Sequence, residues 1–512
     1  MIYNLTQLFE NQIRLRPSKT AVIDGSRSIS YHELQILSNQ YSILFTNSGI
    51  KRGDRIAIYL RRSVESVAAL FAAWHIGAIA VLVNDVLKNK QVQYIVDHAE
   101  AALLVTEKQL LNQLAQPVIS IEKTIVLDEV SLSIDILPPS TVIDSDLALI
   151  IYTSGSTGMP KGIMLSHRNL ISGAEIISDY LRITQNDIII SLLPFSFDYG
   201  LNQLLSSVLH GGTLVIERSS MPSDICNTLV RENITGLGAV PMLWQQLAHP
   251  RSPFTKISLP HLRYMTNTGG RMPEELSHVF RKAHPHVHIY LMFGLTEAFR
   301  STYLPPDQVD VRPTSIGKAI PNVEILVIND KGEECAPDEV GELVHRGATI
   351  SMGYWHDPEN TAKRFRPALF EKGKNGMPEI AVYSGDYVKK DNEGFLYYIG
   401  RMDQMIKSRG MRVSPEEIEE YIYSSSLVSH AVAFSLPKNE IDTQIVAAIV
   451  PKDITAFKEN DLRLYCKREM PEYMIPEIIW HCEQFPLTST GKPDRIGIRE
   501  NYLNNVVSKK NG

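Results

Sequence analysis

The stretch Leu147-Ala-Leu-Ile-Ile-Tyr-Thr-Ser-Gly-Ser-Thr-Gly-Met-Pro-Lys-Gly162 runs an apolar segment into a loop of three glycines, four hydroxyls and one lysine. The apolar half reads as a buried strand of an α/β sheet. The loop half suits polyphosphate. Gly155 and Gly158 let backbone N–H groups face one anion, Thr153, Ser154, Ser156 and Thr157 add hydroxyl donors, and Lys161 adds a cation. It is not the G-x-x-x-x-G-K-[ST] loop, because Gly162 follows the lysine and the spacing differs.

Working outward, the apolar runs RIAIYL (55–60), AIAVLV (78–83) and DIIISLL (187–193) alternate with helix-like segments, the pattern of a layered α/β sheet. At the N-terminus Leu5, Leu8, Phe9 and Ile13 recur at helical spacing without the apolar core of a signal peptide. The most apolar stretch, Val64 to Val83, contains Glu65, Ser66, His75 and Gly77, so it reads as a helix running into a buried strand rather than a membrane span.

Past Gly400 the segment RMDQMIKSRGMRVSPEEIEEYI is polar, and Ser414-Pro415-Glu416-Glu417 is a helix start with proline at the first helical position. Runs 431–436 and 444–451 read as strands, followed by a helix around Asp461 to Arg468. The expected organisation is a large layered α/β domain over 1–402 and a small, mobile C-terminal α+β domain over 403–512, with a hinge at Asp403. After Lys492 the reading leaves a short polar tail and no fused carrier module.

The 512 residues are 44% hydrophobic and 21% charged, the balance of a globular protein with sizeable cores. A net charge of −6, spread along the chain, supplies no basic field for nucleic acid or anionic lipid, so neither partner is expected. Cys226, Cys335, Cys466 and Cys482 lack metal-ligand or disulfide spacing and read as thiols in a reducing cytoplasm.

Further motifs follow in order: FGLTE (293–297), YSGDYV (383–388), GRMDQMIKSRGMRV (400–413) and STGKPDR (489–495). With the glycine-rich loop they resemble the adenylate-forming superfamily of acyl-CoA synthetases, luciferase-like enzymes and adenylation domains of nonribosomal peptide synthetases. The resemblance covers nearly the whole chain. It implies an ATP-dependent, AMP-forming ligase that activates a carboxylic acid as an acyl-adenylate, then hands the acyl group to the thiol of CoA or of a carrier-protein phosphopantetheine.

A carboxylate is a poor electrophile, and its attack on the α-phosphate of ATP brings two anions together, so screening and positioned donors are needed. By the resemblance, Lys492 bridges the α-phosphate and the substrate carboxylate, Glu297 holds Mg²⁺, and Thr296 donates to the α-phosphate. Asp386 has two carboxylate oxygens for the ribose hydroxyls, and the resemblance puts Arg401 on the same sugar. Phe293 stands where the family has tyrosine, which keeps a stacking face for adenine and loses a hydroxyl; Ser384 stands for threonine, and Gly270 joins the nucleotide set. Asp403 is the hinge of the resemblance, and Gly410 leaves room for a pantetheine arm.

Two motifs point to different acids. SLLPFSFDYGLNQLL (191–205) resembles the segment of amino-acid-activating members whose aspartate meets the α-ammonium group, with Asp198 in that place, whereas RVSPEEIE looks more like an acyl-CoA synthetase. The match lines the acyl pocket with Tyr199, Asn202, Thr266, Thr268, Met292, Arg300 and Ser301, a set too polar for a long alkyl chain. Buried charges need partners, so Asp198 and Arg300 either pair with each other or meet charged groups of the substrate. The expected activity is an acid–thiol ligase for a small polar or amino acid. An aliphatic acyl-CoA synthetase and a nonenzymatic nucleotide-binding protein on the same fold are the alternatives.

Overall fold

The structure is a computed structural model that describes residues 2–87, 89–114, 123–130, 132, 137–153, 160–368, 379–402, 406–408, 411–437, 443–470, 472–488 and 491–510. The chain divides into two compact units, Met1–Ile325 with Val344–Tyr383, and Leu326–Leu343 with Ser384–Gly512. Asp403, the expected hinge, lies outside the described residues.

The larger unit is α/β. One sheet places the strand Arg55–Tyr59 between Leu103–Thr106 and Ile79–Leu82, all parallel. Leu147–Thr153 adds parallel to Ile79–Leu82, and Lys161–Ser166 closes antiparallel on it, with Thr153 opposite Lys161. The apolar runs are continuous rather than alternating because helices cover both faces of such strands. Helix Val64–His75 precedes the strand Ile79–Leu82 as expected, capped by a reciprocal Ser63–Ser66 box. A second sheet orders Thr213–Ile216, Ile188–Ser191, Gly236–Ala239, Tyr264–Asn267 and His288–Phe293 in parallel.

The smaller unit is α+β. Strands Val428–Pro437 and Thr443–Pro451 pair antiparallel, and Ile478–His481 adds parallel to the second. Their two-residue period divides the core. Ala431, Ala433, Ile445, Ala447 and Ile449 meet Ile418, Ile422, Leu462 and Cys466. On the other face Val432, Phe434, Val446 and Ala448 meet Phe485, Ile498 and Tyr502. Helix Pro415–Ser424 begins as read, with Pro415 in its first turn and the Ser414 side chain accepting from the Glu417 N–H.

The polar tail is instead a helix, Arg495–Lys510. Ile498 and Tyr502, one turn apart, are 1% and 8% exposed, and burial of each contributes about 1.5–3 kcal/mol. Among the described residues no helix is long and apolar enough to cross a membrane.

Candidate active site

Parallel strands present all their carboxyl ends to one side of a sheet, where ligands of open α/β folds bind. The second sheet delivers there Thr266 and Asn267, then Thr268, from one strand, and Met292 and Phe293 from its neighbour. Helix Asp198–His210 follows the strand Ile188–Ser191 and begins with the aspartate. A carboxylate in a first helical turn is favoured by the helix dipole.

Of the acid-pocket residues named from sequence, Asp198, Tyr199, Thr266, Thr268 and Arg300 are joined by direct contacts. Arg300 Nη2 donates to Asp198 Oδ1 at 2.8 Å, with the two side chains 2% and 5% exposed. The same guanidinium lies 4.8 Å from the Tyr199 ring centre, and its Nη1 donates to Thr268 Oγ1 at 3.3 Å. Tyr199 and Thr266 share a 2.6 Å hydroxyl contact, and burial pushes the Tyr199 phenol up to about 12. Met292 accepts at sulfur from Tyr180. Asn202 Oδ1 accepts from Ser206, yet Asn202 Nδ2, Arg300 Nε and Asn267 Oδ1 find no partner among the described residues. Each such orphan costs about 1–3 kcal/mol.

Arg300 is aimed by the backbone. Phe299, fully buried, has φ 55° and ψ −39°, and the Arg300 N–H reaches the Ala298 carbonyl at 2.6 Å, closing a three-residue turn that is strained for any bulky residue. Gly173 makes room for the ring: a Cβ there would stand 2.3 Å from Phe299 Cδ1. Ser301 Oγ and Thr349 Oγ1 flank the His345 ring at 3.1 Å each. Burial lowers His345 to about 3, so it is neutral.

Toward the glycine-rich loop, Lys161 Nζ lies 5.2 Å from the Tyr354 ring centre, and the Tyr354 hydroxyl donates to Glu297 Oε1 at 2.7 Å. Tyr354 therefore links the loop's lysine to Glu297. Thr296 opens the single turn Thr296–Ala298. Gly270 accepts through its carbonyl from Asn267 Nδ2 at 2.7 Å.

In the smaller unit, Asp386 stands opposite Arg401 of strand Leu396–Arg401, and Arg401 Nη1 donates to Asp386 Oδ1 at 3.0 Å. Gly385 takes φ +70°, which a side chain would resist, while its N–H donates to Glu342 and the Asp386 N–H donates to Ser384 Oγ. Lys492 is exposed; its carbonyl accepts from the Thr488 N–H at 2.7 Å and its N–H donates to Thr488 Oγ1 at 3.2 Å.

Family models for the AMP-binding enzyme and for the AMP-binding enzyme C-terminal domain match residues 9–355 and 417–492. The chain belongs to the AMP-binding enzyme family. This AMP-binding enzyme is 28% identical over 504 residues to gramicidin S synthase 2 of Aneurinibacillus migulanus, covering 97% of this chain and 11% of that protein. It is 29% identical over 514 residues to the dimodular nonribosomal peptide synthase of Bacillus subtilis (strain 168), covering 96% of this chain and 21% of that protein. The chain thus spans a small part of these relatives. Among solved structures, the anthranilate CoA ligase AuaEII in complex with anthranoyl-AMP superposes with a TM-score of 0.86 at 24% identity, covering 98% and 97% of the two chains. The Mycobacterium tuberculosis fatty acyl CoA synthetase gives 0.76 at 25% identity, with 98% of each covered.

Of the nucleotide residues expected for this AMP-binding enzyme, Ser154, Gly155, Ser156, Thr157 and Gly158 lie outside the described residues, as does Gly410. Thr153 and Lys161 bound that loop as an antiparallel pair. Sequence reasoning missed Tyr354 and His345. Gly353-Tyr354-Trp355, a glycine before two aromatics, was the available signal for the first; a lone histidine within Val340–Gly347 gave none for the second.

Proposed function

We propose that this chain is an ATP-dependent, AMP-forming acid–thiol ligase for a small polar or amino acid, with CoA or a carrier-protein phosphopantetheine as acceptor. The substrate carboxylate attacks the α-phosphate of ATP, pyrophosphate leaves, and the thiol then displaces AMP from the acyl carbon. Lys492 screens the two approaching anions, and Thr296 donates to the α-phosphate. Lys161, with Thr153 and the hydroxyls at 154, 156 and 157, grips the outer phosphates, Phe293 offers a face to adenine, and Asp386 with Arg401 takes the ribose.

The residues fit a nucleotide–magnesium complex. Among the described residues no group of three or more His, Cys, Asp or Glu side chains could hold a metal, which suits a cation bound mainly by phosphate oxygens plus one carboxylate. Glu297 is that carboxylate; Tyr354 occupies one of its roughly four lone-pair sites. Magnesium, when bound, would neutralise phosphate charge. Four free cysteines, three of them buried, agree with a cytoplasmic setting.

The observation that carries the choice of acid is the buried Asp198–Arg300 pair together with Asn202 Nδ2, Arg300 Nε and Asn267 Oδ1, which lack partners among the described residues. An alkyl chain would leave these groups desolvated and unanswered, whereas amino, hydroxyl or carbonyl groups of a compact acid answer them. Because Arg300 already neutralises Asp198, the pair also favours a second reading within the class, a hydroxy or keto acid without an ammonium group. Acid-dependent pyrophosphate release with amino, hydroxy, keto and aliphatic acids of equal length tests both. Preference for aliphatic acids rejects the polar pocket, and no release with any acid and either thiol rejects the ligase.

A further inference from the structure

The STGKPDR segment ends in an arginine that the reaction leaves without a task. Arg495 Nη1 and Nη2 donate to Glu419 Oε1 and Oε2 at 2.6 Å each, a two-pronged fork, and Nη1 also reaches the Ala433 carbonyl at 3.3 Å. Glu416 Oε1 lies 3.5 Å from Nη2. Glu419 is 7% exposed, in the middle of helix Pro415–Ser424, and its Oε1 accepts in addition from the Ala433 N–H at 2.6 Å. The fork therefore ties three elements together: that helix, strand Val428–Pro437 and the start of helix Arg495–Lys510.

Lys492 stands three residues before Arg495 on backbone that has little freedom. The Asp494 N–H donates to the Pro486 carbonyl at 2.8 Å, Leu487 bridges Pro493, and Thr488 exchanges hydrogen bonds with Lys492. Asp494 also receives the Gly497 N–H at the start of the helix. Whatever fixes Arg495 fixes the base of the lysine. Burial pushes the Glu419 carboxyl up to about 7 against the pull of the Arg495 fork, while the carboxylates of Glu419 and Glu416 outweigh burial and raise Arg495. A lysine at 495 would keep the charge and lose the planar fork.

We propose that Glu419 and Arg495 are positioning residues that hold the Lys492 loop in register for adenylate formation and leave the thiol step untouched. This rests on the ligase reading above, and the test separates the two. In the full-length chain, Glu419→Gln keeps the shape of the side chain and removes its charge. Amide hydrogen exchange should accelerate at Gly491, Lys492 and Asp494 by roughly 10-fold or more and stay unchanged in the Asp198 helix. Unchanged exchange at those three amides overturns the bracket whatever the substrate.

With ATP, magnesium and alanine or lactate as the probe acid, Glu419→Gln should lower kcat for pyrophosphate release roughly 10- to 100-fold, the scale of a 1 Å misplacement, with KM for ATP little changed. Thioester formation from synthetic alanyl- or lactyl-adenylate should stay near wild type. The decisive comparison is the double variant with Lys492→Ala, which should be no slower than Lys492→Ala alone because both act through one amine. Multiplied losses, or equal losses in both half-reactions, would show a general structural role instead. If Glu419→Gln fails to fold, Arg495→Lys decides on the same readouts, with an intermediate loss expected and wild-type rates overturning the proposal. Wild type that releases no pyrophosphate with any acid refutes the ligase reading and leaves the exchange result to judge the bracket.

Discussion

Two arginine–carboxylate pairs organise this molecule, and they differ in how completely their groups are answered. Asp198–Arg300 makes one 2.8 Å bond, is 5% and 2% exposed, and leaves Arg300 Nε unpartnered among the described residues. Glu419–Arg495 makes two 2.6 Å bonds three residues beyond the exposed Lys492. Asn202 Nδ2, on the same helix as Asp198, also lacks a hydrogen-bond partner among the described residues, in line with the acid pocket proposed above. The closed fork of the second marks a bracket. An incomplete buried set pays for specificity, since every unmatched substrate leaves its groups desolvated.

The sharpest way to break this contrast is Asp198→Ala. It strands the Arg300 cation and should destabilise the larger unit by about 3–5 kcal/mol, read by thermal or urea unfolding. The joint replacement Asp198→Leu with Arg300→Met should recover most of that stability while losing discrimination between polar and aliphatic acids. Full stability in Asp198→Ala would mean that the pair is not buried in solution.

Next in size, Lys492→Ala should slow adenylate formation by about 10²–10³ and leave both ATP binding and thioester formation from preformed adenylate near wild type. Near-wild-type pyrophosphate release would remove Lys492 from the chemistry. Gly173→Ala probes the frame of the first pair, because the new methyl collides with Phe299 and disturbs the turn that aims Arg300. The expected cost is about 1–3 kcal/mol, with acid KM rising more than ATP KM. A shift confined to stability would sever the turn from the acid site.

A last effect, absent near neutral pH, is acid sensitivity through His345. Burial lowers its folded value to about 3, against about 6.5 in the unfolded chain, so the unfolded state takes the proton first. The stability associated with neutral His345 is complete above about pH 6.5 and is lost as pH falls toward 3, by about 1.4 kcal/mol per unit inside that window. Buried His167, lowered to about 4, acts in the same direction over a narrower range. Unfolding curves for His345→Asn should be flatter between pH 6 and 4 than those of wild type, and equal slopes would contradict the buried neutral ring.

The sequence was legible where chemistry is local. The run into the glycine-rich loop, the Ser414-Pro415 helix start and the ordered motifs each state their structure within a few residues. The pairing of Asp198 with Arg300 was legible only as one of two options, since 102 positions separate them and the link depends on a strained turn at Phe299. Tyr354 escaped because its value lies in touching Glu297 and Lys161 from a distant segment. The tail helix escaped because, among its described side chains, only Ile498 and Tyr502 are buried.

In the reaction proposed above, a substrate carboxylate oxygen becomes bonded to the α-phosphorus of ATP. Turnover of an amino or hydroxy acid labelled with heavy oxygen in its carboxylate, with ATP, magnesium and a thiol acceptor, tests it directly. One heavy oxygen is expected in the released AMP and none in pyrophosphate. Unlabelled AMP, or label recovered in inorganic phosphate, would contradict it.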